Sequence, residues 1–181
     1  RAQTVYQTAM AHYAKREFSK AAPLFESAIQ KEKPGTPKYA EIAFLIGQSH
    51  FLAARAADAI PWIEKAIGSG VRNMEALYML GNASILNRDP DRARKAFARM
   101  FHVGEESAAA HLLTAQMMVR QEFEEFAVKE LDRALEIDPK IPEAHYLLGI
   151  LFTFRNDVDR AIRELQAEVA INPNYAMAYY K

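Results

Sequence analysis

The histidines are the residues of this sequence whose spacing first suggests chemistry. Five are present, and two pairs recur at corresponding points of the chain, His12 with His50 and His111 with His145. Zinc sites need three or four converging ligands, and neither an HxxxH motif nor a glutamate-flanked pair occurs here. Cysteine is absent, which excludes thiolate ligands, disulfides and cysteine nucleophiles. We therefore interpret the histidines as packing residues and expect no metal and no cofactor.

The remaining composition excludes several other classes of function. No glycine-rich phosphate loop is present, and the carboxylates fall mainly in predicted outer helices, so we predict that the chain is not an enzyme. Lys plus Arg and Asp plus Glu each number 23, and this net charge of zero gives no reason to expect nucleic acid as a partner. No apolar run approaches the roughly 20 residues that span a bilayer, so we expect no membrane insertion.

Small residues recur with a period of 34 and show which elements the chain must build. The first column is Gly47, Gly81, Ala115 and Gly149; the second is Ala59, Ala93, Ala127 and Ala161; a large apolar column is Ile63, Phe97, Leu131 and Leu165. Each period holds two stretches with helical apolar spacing, which predicts a helical hairpin. Glycine costs a helix about 1 kcal/mol relative to alanine. We expect close packing to offset this cost, with Gly81 facing Ala93 and Gly149 facing Ala161.

These columns resemble the tetratricopeptide repeat, whose pattern combines Leu-Gly, Ala, a large apolar residue and a closing proline. The fifth unit matches best, with Leu148, Gly149, Ala161, Leu165 and Pro173. The resemblance implies an all-α fold, a right-handed α-solenoid of helix-turn-helix units. The predicted bounds are 1–35 for repeat 1, an insertion at 36–39, then 40–73, 74–107, 108–141 and 142–175 for repeats 2 to 5, with 176–181 beginning the first helix of a sixth.

Some positions depart from the regular pattern or end its helices. Pro23 and Pro61 fall early in second helices, and we expect these helices to begin late enough to leave the missing N–H without a helical partner. Asp91 and Asp159 are predicted N-caps of second helices. Glu168 stands where the pattern has a small apolar residue, so we expect it to be exposed or paired.

The resemblance further implies that the first helices line a concave face. Its predicted partner-binding residues are Tyr6, Met10, Tyr13, Phe44, Gln48, Phe51, Tyr78, Asn82, Leu112, Gln116, Tyr146 and Ile150, and Tyr180 extends the aromatic column. Aromatic rings provide contact area at low entropy cost, and amides can hydrogen-bond a peptide backbone. The pattern favours a groove for an extended peptide or helix of a partner protein. Ordinary packing between repeats is the alternative interpretation of the same aromatics.

The family's known ligand motifs are absent from this chain. The clamp that holds a partner's C-terminal carboxylate uses lysine, asparagine and arginine, but the corresponding positions of repeats 1 to 3 are Tyr6, Met10, Leu45, Glu75 and Met79. No asparagine ladder is present either. The sequence therefore predicts a non-catalytic interaction scaffold without a carboxylate clamp.

Two alternatives remain open at this level. One is self-association, giving a homo-oligomer through an open C-terminal edge near "NYAMAYYK". The other is a spacer or regulatory segment of a larger enzyme or of a secretion or assembly component. The chain begins at Arg1, so we expect it to be a piece of a longer protein, and the sequence gives no localisation.

Overall fold

A computed structural model describes residues 4–174 of the chain. In this range the regular structure is entirely helical. The ten helices are α1 (Val5–Ala14), α2 (Phe18–Ile29), α3 (Pro37–Leu52), α4 (Ala56–Gly68), α5 (Met74–Leu86), α6 (Pro90–Phe101), α7 (Ala108–Arg120), α8 (Glu124–Ile137), α9 (Ala144–Phe154) and α10 (Val158–Ile171). The predicted start of a sixth repeat, including Tyr180, lies outside the described residues.

The chain forms two compact units, Arg1–Ala96 and Phe97–Lys181. Each predicted repeat contains one pair of helices, although α3 already begins at Pro37, inside the stretch predicted as an insertion. The fully buried large side chains of the first unit include Phe25, Ile42, Ile46, Ile63 and Ile85. Those of the second unit include Phe97, Met118, Leu131, Leu148 and Leu151. Each unit thus buries its own apolar core, which is the main source of stability for such helices.

The glycines of the repeat allow paired helices to approach closely. A Cβ atom added to Gly47 would lie 2.6 Å from Ile63 Cγ1 and 3.3 Å from the Ala59 carbonyl oxygen. A Cβ atom on Gly149 would lie 2.6 Å from Leu165 Cγ and 3.5 Å from the Ala161 carbonyl oxygen. The predicted packing of Gly149 against Ala161 is confirmed. Gly81 and Ala93 are both buried, and their mutual contact stays a prediction.

The turn inside each helix pair has the same length and backbone geometry in all five pairs. Three residues join the two helices, and the second of them is left-handed, with φ between 57° and 63° although it is never glycine: Arg16, Ala54, Arg88, Glu122 and Asn156. The N–H of the next residue donates to the carbonyl five residues back, as Asp89 N does to Ser84 O at 2.9 Å. This is the bond of a Schellman motif, whose left-handed position favours glycine.

Because Ala54 has a φ of 61°, its methyl group strains the turn between α3 and α4. Ala54→Gly should raise the free energy of unfolding by up to about 1 kcal/mol, because glycine adopts this conformation without a steric penalty. Urea denaturation followed by circular dichroism measures the change. Ala57→Gly, inside α4, is the matched control and should lower stability by about 1 kcal/mol. A loss of stability in both variants would contradict the backbone strain inferred at Ala54.

Side-chain N-caps fix where most helices begin. Thr4, Thr36, Asn73 and Ser107 each accept a hydrogen bond from the backbone N–H three residues later. The predicted caps Asp91 and Asp159 are wrong. Asp89 Oδ1 accepts from Arg92 N at 3.0 Å and Asp157 Oδ1 from Arg160 N at 3.3 Å, because these helices begin one residue after Asp89 and Asp157.

The two prolines lie deeper in their helices than predicted. α2 begins at Phe18 and α4 at Ala56, so Pro23 and Pro61 each stand five residues into the helix and remove one backbone hydrogen bond. The expectation that these helices begin later is therefore wrong. Both prolines are exposed, so their rings occupy the solvent side, where water can satisfy the freed carbonyls.

The start of α9 is capped by a side chain from another helix. Its N-cap residue, Glu143, has a left-handed φ of 71° and makes no capping bond with its own side chain. Instead Glu168 of α10 accepts from Glu143 N at 3.1 Å and from Tyr146 N at 3.3 Å. Glu168 is 2% exposed. Of the two outcomes expected for this residue, exposed or paired, it is therefore the paired one that the structure shows. A carboxylate at a helix N-terminus also interacts favourably with the helix dipole.

Candidate functional site

The first helices of unit 1 lie side by side and carry most of the predicted partner-binding residues. We call this surface the unit 1 face; it consists of Tyr6, Met10 and Tyr13 on α1, Phe44, Gln48 and Phe51 on α3, and Tyr78 and Asn82 on α5. On each helix the residues are spaced by four or three, which places them on one side of that helix.

A chain of polar side chains crosses this face and joins its three helices. The Tyr13 hydroxyl donates to Gln48 Oε1, and Gln48 Nε2 donates to Glu75 Oε1 at 2.9 Å. Burial raises the pKa of Tyr13, and the negative charge of Glu75 raises it further. The side-chain oxygen and nitrogen of Gln48 are therefore both engaged within the protein. The sequence analysis predicted instead that this amide would hydrogen-bond the backbone of a bound peptide.

A second polar group lies at the other end of α1. The Tyr6 hydroxyl donates to Glu41 Oε1 at 2.5 Å, and Lys38 Nζ lies 3.2 Å from the same carboxylate. Lys38 Nζ also lies 3.9 Å from the centroid of the Tyr6 ring, a cation–π geometry. The bond from Tyr6 lowers the pKa of Glu41, while burial and then the bond to Glu41 raise the pKa of Tyr6. These contacts hold Tyr6 against α3.

Removal of the Tyr6 hydroxyl should change the acid titration of Glu41. Because the folded protein lowers this pKa, the contribution of Glu41 to stability is present above its ordinary value of 4.5 and is lost as the pH falls. Tyr6→Phe should move the pKa of Glu41 back towards 4.5 and reduce the dependence of stability on pH below that value. NMR titration of the Glu41 carboxyl measures this shift. Tyr78→Phe on α5 is the control, and equal shifts in both variants would contradict the assignment.

Exposure varies strongly across the unit 1 face. Tyr78 is 47% exposed, whereas Asn82, one turn further along α5, is 5% exposed and donates to Tyr78 O at 2.9 Å. Phe44 packs against the apolar clusters on both sides of α3, and Tyr6 and Tyr13 pack edge-on against Phe25. The aromatic rings thus serve packing between repeats and also form the surface, and Tyr78 is the most open of the rings on this face.

The other predicted residues belong to unit 2. Leu112 and Gln116 lie on α7, Tyr146 and Ile150 lie on α9, and all four are half-buried. Gln116 Nε2 donates to Glu143 Oε2 at 3.0 Å. This bond repeats the one between Gln48 and Glu75 two periods earlier. Neither Glu75 nor Glu143 was among the predicted partner-binding residues, although their spacing of 68 residues, equal to that between Gln48 and Gln116, was a usable signal.

Four histidines form pairs with carboxylates. His111 Nδ1 and His145 Nδ1 lie 2.5 Å and 2.7 Å from glutamates at corresponding positions of α8 and α10, Glu130 and Glu164. His50 pairs with Glu26 of α2, and His12 with Glu17 in its own turn. These pairs are consistent with the interpretation of the histidines as packing residues. Among residues 4–174, no group of three or more His, Cys, Asp or Glu is placed to hold a metal ion.

Glu17, the carboxylate that pairs with His12, has a lowered pKa. Hydrogen bonds from Lys20 and then His12 lower the pKa of Glu17 to about 2. Glu17 therefore stays ionised over the whole physiological pH range.

In the described part of the chain, no helix has the length and apolar character needed to cross a membrane.

The paired helices, the 34-residue spacing and the packed glycines define a helical-repeat protein. A family model for the tetratricopeptide repeat matches residues 6–70, 78–140 and 125–176. The chain belongs to the tetratricopeptide repeat family, and the predicted fold class, an all-α solenoid, is confirmed. Proteins of this family are generally non-catalytic scaffolds that mediate protein–protein interactions.

Solved structures share this fold at low sequence identity. YrrB, described as a TPR protein with an unusual peptide-binding site, is 19% identical, with 97% of this chain and 89% of that chain covered and a TM-score of 0.54. MamA is 17% identical, with 93% and 96% covered and the same TM-score of 0.54. A tetratricopeptide repeat protein from Parabacteroides merdae ATCC 43184 is 16% identical, with 94% and 66% covered and a TM-score of 0.54. No curated protein matches the chain.

Proposed function

We propose that this chain is a non-catalytic interaction module that binds a segment of a partner protein on the unit 1 face. The observation that carries the proposal is the combination of the fixed chain Tyr13–Gln48–Glu75 with the open ring of Tyr78. A surface held rigid before binding loses little entropy when a partner docks. Tyrosine is also among the residues that contribute most to binding at protein interfaces.

The contacts change the recognition mode that the sequence suggested. Gln48 already bonds Tyr13 and Glu75, so its amide supports the surface instead of reading a peptide backbone. A bound segment would meet the Tyr78 ring, the half-buried Phe44 and Phe51, and the exposed Glu75. Apolar side chains would supply most of the binding energy, and the carboxylate would orient the segment.

The four predicted residues of unit 2 are a second candidate contact area. Gln116 is held by Glu143, beside the half-buried Leu112, Tyr146 and Ile150. We propose it as an additional contact area that lacks a ring as open as Tyr78. A spacer role in a larger protein remains compatible with both surfaces.

The test is selection of peptides against the 181-residue chain, followed by affinity measurement for the enriched peptides. A displayed library of peptides of about 15 residues is the probe. Tyr78→Ala should weaken binding at least about tenfold, the typical loss for an aromatic residue at the centre of an interface. Phe101→Ala, which removes an exposed ring from α6, is the matched control and should bind normally. Equal affinities for both variants, or no enriched peptide, would contradict the proposal.

A further inference from the structure

The turns inside the helix pairs of unit 1 carry exposed arginines. Arg16 lies between α1 and α2, Arg55 between α3 and α4, and Arg88 between α5 and α6, and all three residues are exposed. Within residues 4–174, their side chains take part in no ion pair or hydrogen bond. Arg16 and Arg88 stand at the left-handed position, where glycine would be unstrained, so the turn itself does not require a side chain there. The three guanidinium groups are therefore available to a ligand.

These three turns lie at the same end of unit 1. The Tyr6 hydroxyl bonds Glu41 and the Tyr13 hydroxyl bonds Gln48, and both pairs are 35 residues apart, so α1 and α3 run in the same direction. Helices α3, α4 and α5 pack one against the next and are joined by short connections, so α5 shares that direction. The turns that follow α1, α3 and α5 therefore form one edge of the unit.

An exposed leucine precedes two of the arginines. Leu52 and Leu86, the last residues of α3 and α5, are 44% and 47% exposed and stand at the same repeat position, 34 residues apart. Arg55 follows Leu52 by three residues, and Arg88 follows Leu86 by two. We call these four residues and Arg16 the turn edge. It combines apolar contact area with positive charge, so it fits a ligand that carries both apolar and anionic groups.

The carboxylates in the same turns are engaged by other groups. Glu17 pairs with Lys20 and His12 at 2.8 Å and 2.6 Å. Asp89 Oδ1 accepts from Arg92 N at 3.0 Å, and its Oδ2 lies 3.5 Å from Arg92 Nη1. These carboxylates serve the local structure of the turns, and the arginines of the turn edge are left for carboxylates of another molecule.

The spacing of the turn edge indicates what kind of segment it fits. Neighbouring packed helices lie about 10 Å apart, and an extended chain advances about 3.3 Å per residue, so such a chain passes one arginine about every three residues. Leu52 and Leu86 favour apolar side chains between the acidic ones. Residues 1–3 and 175–181, which lie outside the described range, contain no aspartate or glutamate, so they do not supply this segment.

The charge pattern favours a protein segment over a nucleic acid. Asp58, in the first turn of α4, is exposed and lies three residues after Arg55, so the positive charge of the edge is interrupted. A nucleic acid has a charged phosphate at every nucleotide and would meet this carboxylate. A protein segment can place an uncharged residue there.

We propose that the turn edge of unit 1 binds an acidic segment of a partner protein, an extended stretch with Asp or Glu about every three residues and large apolar residues between them. The arginines pair with its carboxylates, and the two leucines contact its apolar side chains. Exposed ion pairs are individually weak and are screened by salt, so binding should weaken as the salt concentration rises. Leu86 lies two helical turns beyond Tyr78 on α5, about 12 Å along the helix, so this binding does not require the peptide site on the unit 1 face.

Selection of displayed peptides of about 12 residues against the 181-residue chain tests the proposal, after removal of peptides that also bind the variant Arg55→Glu/Arg88→Glu. This removal discards peptides that bind only the unit 1 face, so failure of that site does not affect the result. We expect the enriched peptides to carry acidic residues at the stated spacing beside apolar ones. Replacing the acidic residues of an enriched peptide by Asn or Gln should weaken its affinity, measured by fluorescence anisotropy, at least about tenfold.

A matched variant controls for the change in net charge. Lys33→Glu/Arg72→Glu makes the same change at exposed residues in the connections at the opposite ends of α3 and α5, and it should retain the wild-type affinity. Leu52→Ser/Leu86→Ser should weaken binding at least about threefold, because it removes apolar contact without changing charge. Circular dichroism verifies that all variants fold.

Four results would overturn the proposal. They are the absence of enriched peptides, enriched peptides that bind equally well without their acidic residues, an equal loss of affinity in the matched variant, and an affinity that the leucine substitutions leave unchanged. A single-stranded oligonucleotide of the same length is tested in parallel. If it binds more tightly than the peptides and loses affinity in Arg55→Glu/Arg88→Glu, the ligand is a nucleic acid and the proposal is likewise wrong.

Discussion

Gly47→Val should lower the free energy of unfolding of unit 1 by about 3 kcal/mol, the upper end of the usual cost of overpacking a core. Even a single methyl group at this position would lie 2.6 Å from Ile63 Cγ1 and 3.0 Å from the Ile63 backbone nitrogen. A backbone atom cannot rotate away, and the β-branched Ile63 has few alternative rotamers. The added side chain must therefore push α3 and α4 apart. Chemical denaturation followed by circular dichroism measures the loss.

A series of alanine substitutions separates this packing from the effect of glycine on the helix itself. Gly68→Ala, at the end of α4, meets no atom within 4 Å in the described structure and should stabilise by up to about 1 kcal/mol. Gly47→Ala should destabilise. Gly149→Ala should fall between them, because its obstacle is the movable end of the Leu165 side chain. Stabilisation of Gly47→Ala to the level of Gly68→Ala would show that close approach of the helices is unimportant.

Glu168→Ala should lower the free energy of unfolding by about 2–4 kcal/mol. The substitution removes the carboxylate that accepts from Glu143 N and Tyr146 N, and a hydrogen bond to a charged group contributes about 1.5–3 kcal/mol. It also removes a negative charge from the positive end of α9, which adds up to about 1 kcal/mol. A cavity beside Glu143 contributes further.

Glu168→Gln distinguishes the capping bonds from simple space filling. Glutamine keeps the volume and one side-chain oxygen, so it should recover roughly half of the loss. Arg163→Ala, an exposed change on the same helix, is the control and should alter stability by less than about 0.5 kcal/mol. Equal stability of Glu168→Ala and Arg163→Ala would contradict a capping role. Thermal denaturation of the three variants decides between these outcomes.

The fold could be predicted because the residues that allow its helices to pack recur at a regular spacing in the sequence. A glycine or alanine every 34 residues reports the close approach of two helices, and the structure shows this approach at Gly47 and Gly149. Helix starts were harder to place. In "DPD" and "DVD" both aspartates are good capping residues, and only the point at which the helix begins selects Asp89 and Asp157.

The contacts between repeats were beyond the sequence for a different reason. Each of these contacts joins side chains from separate helices, so no local pattern records it. Gln48 was assigned to a ligand because its donor and acceptor groups are visible in the sequence, while its partners Tyr13 and Glu75 are distant along the chain. Within repeat 5, the role of Glu168 as a cap of backbone N–H groups depends on the fact that α9 lacks a side-chain cap of its own. The missing side-chain cap can be recognised only when the first residue of the helix is known.

The constant turns inside the helix pairs also indicate where this chain can accept extra residues. Every such turn has three residues, whereas the connections between pairs have lengths of seven residues at 30–36 and five at 69–73. A longer turn would break the bond that closes each pair, but a longer connection adds only the slowly growing entropy of loop closure. Insertions, affinity tags and fused domains therefore belong near Gly35, and the same additions at Ala54 would separate α3 from α4.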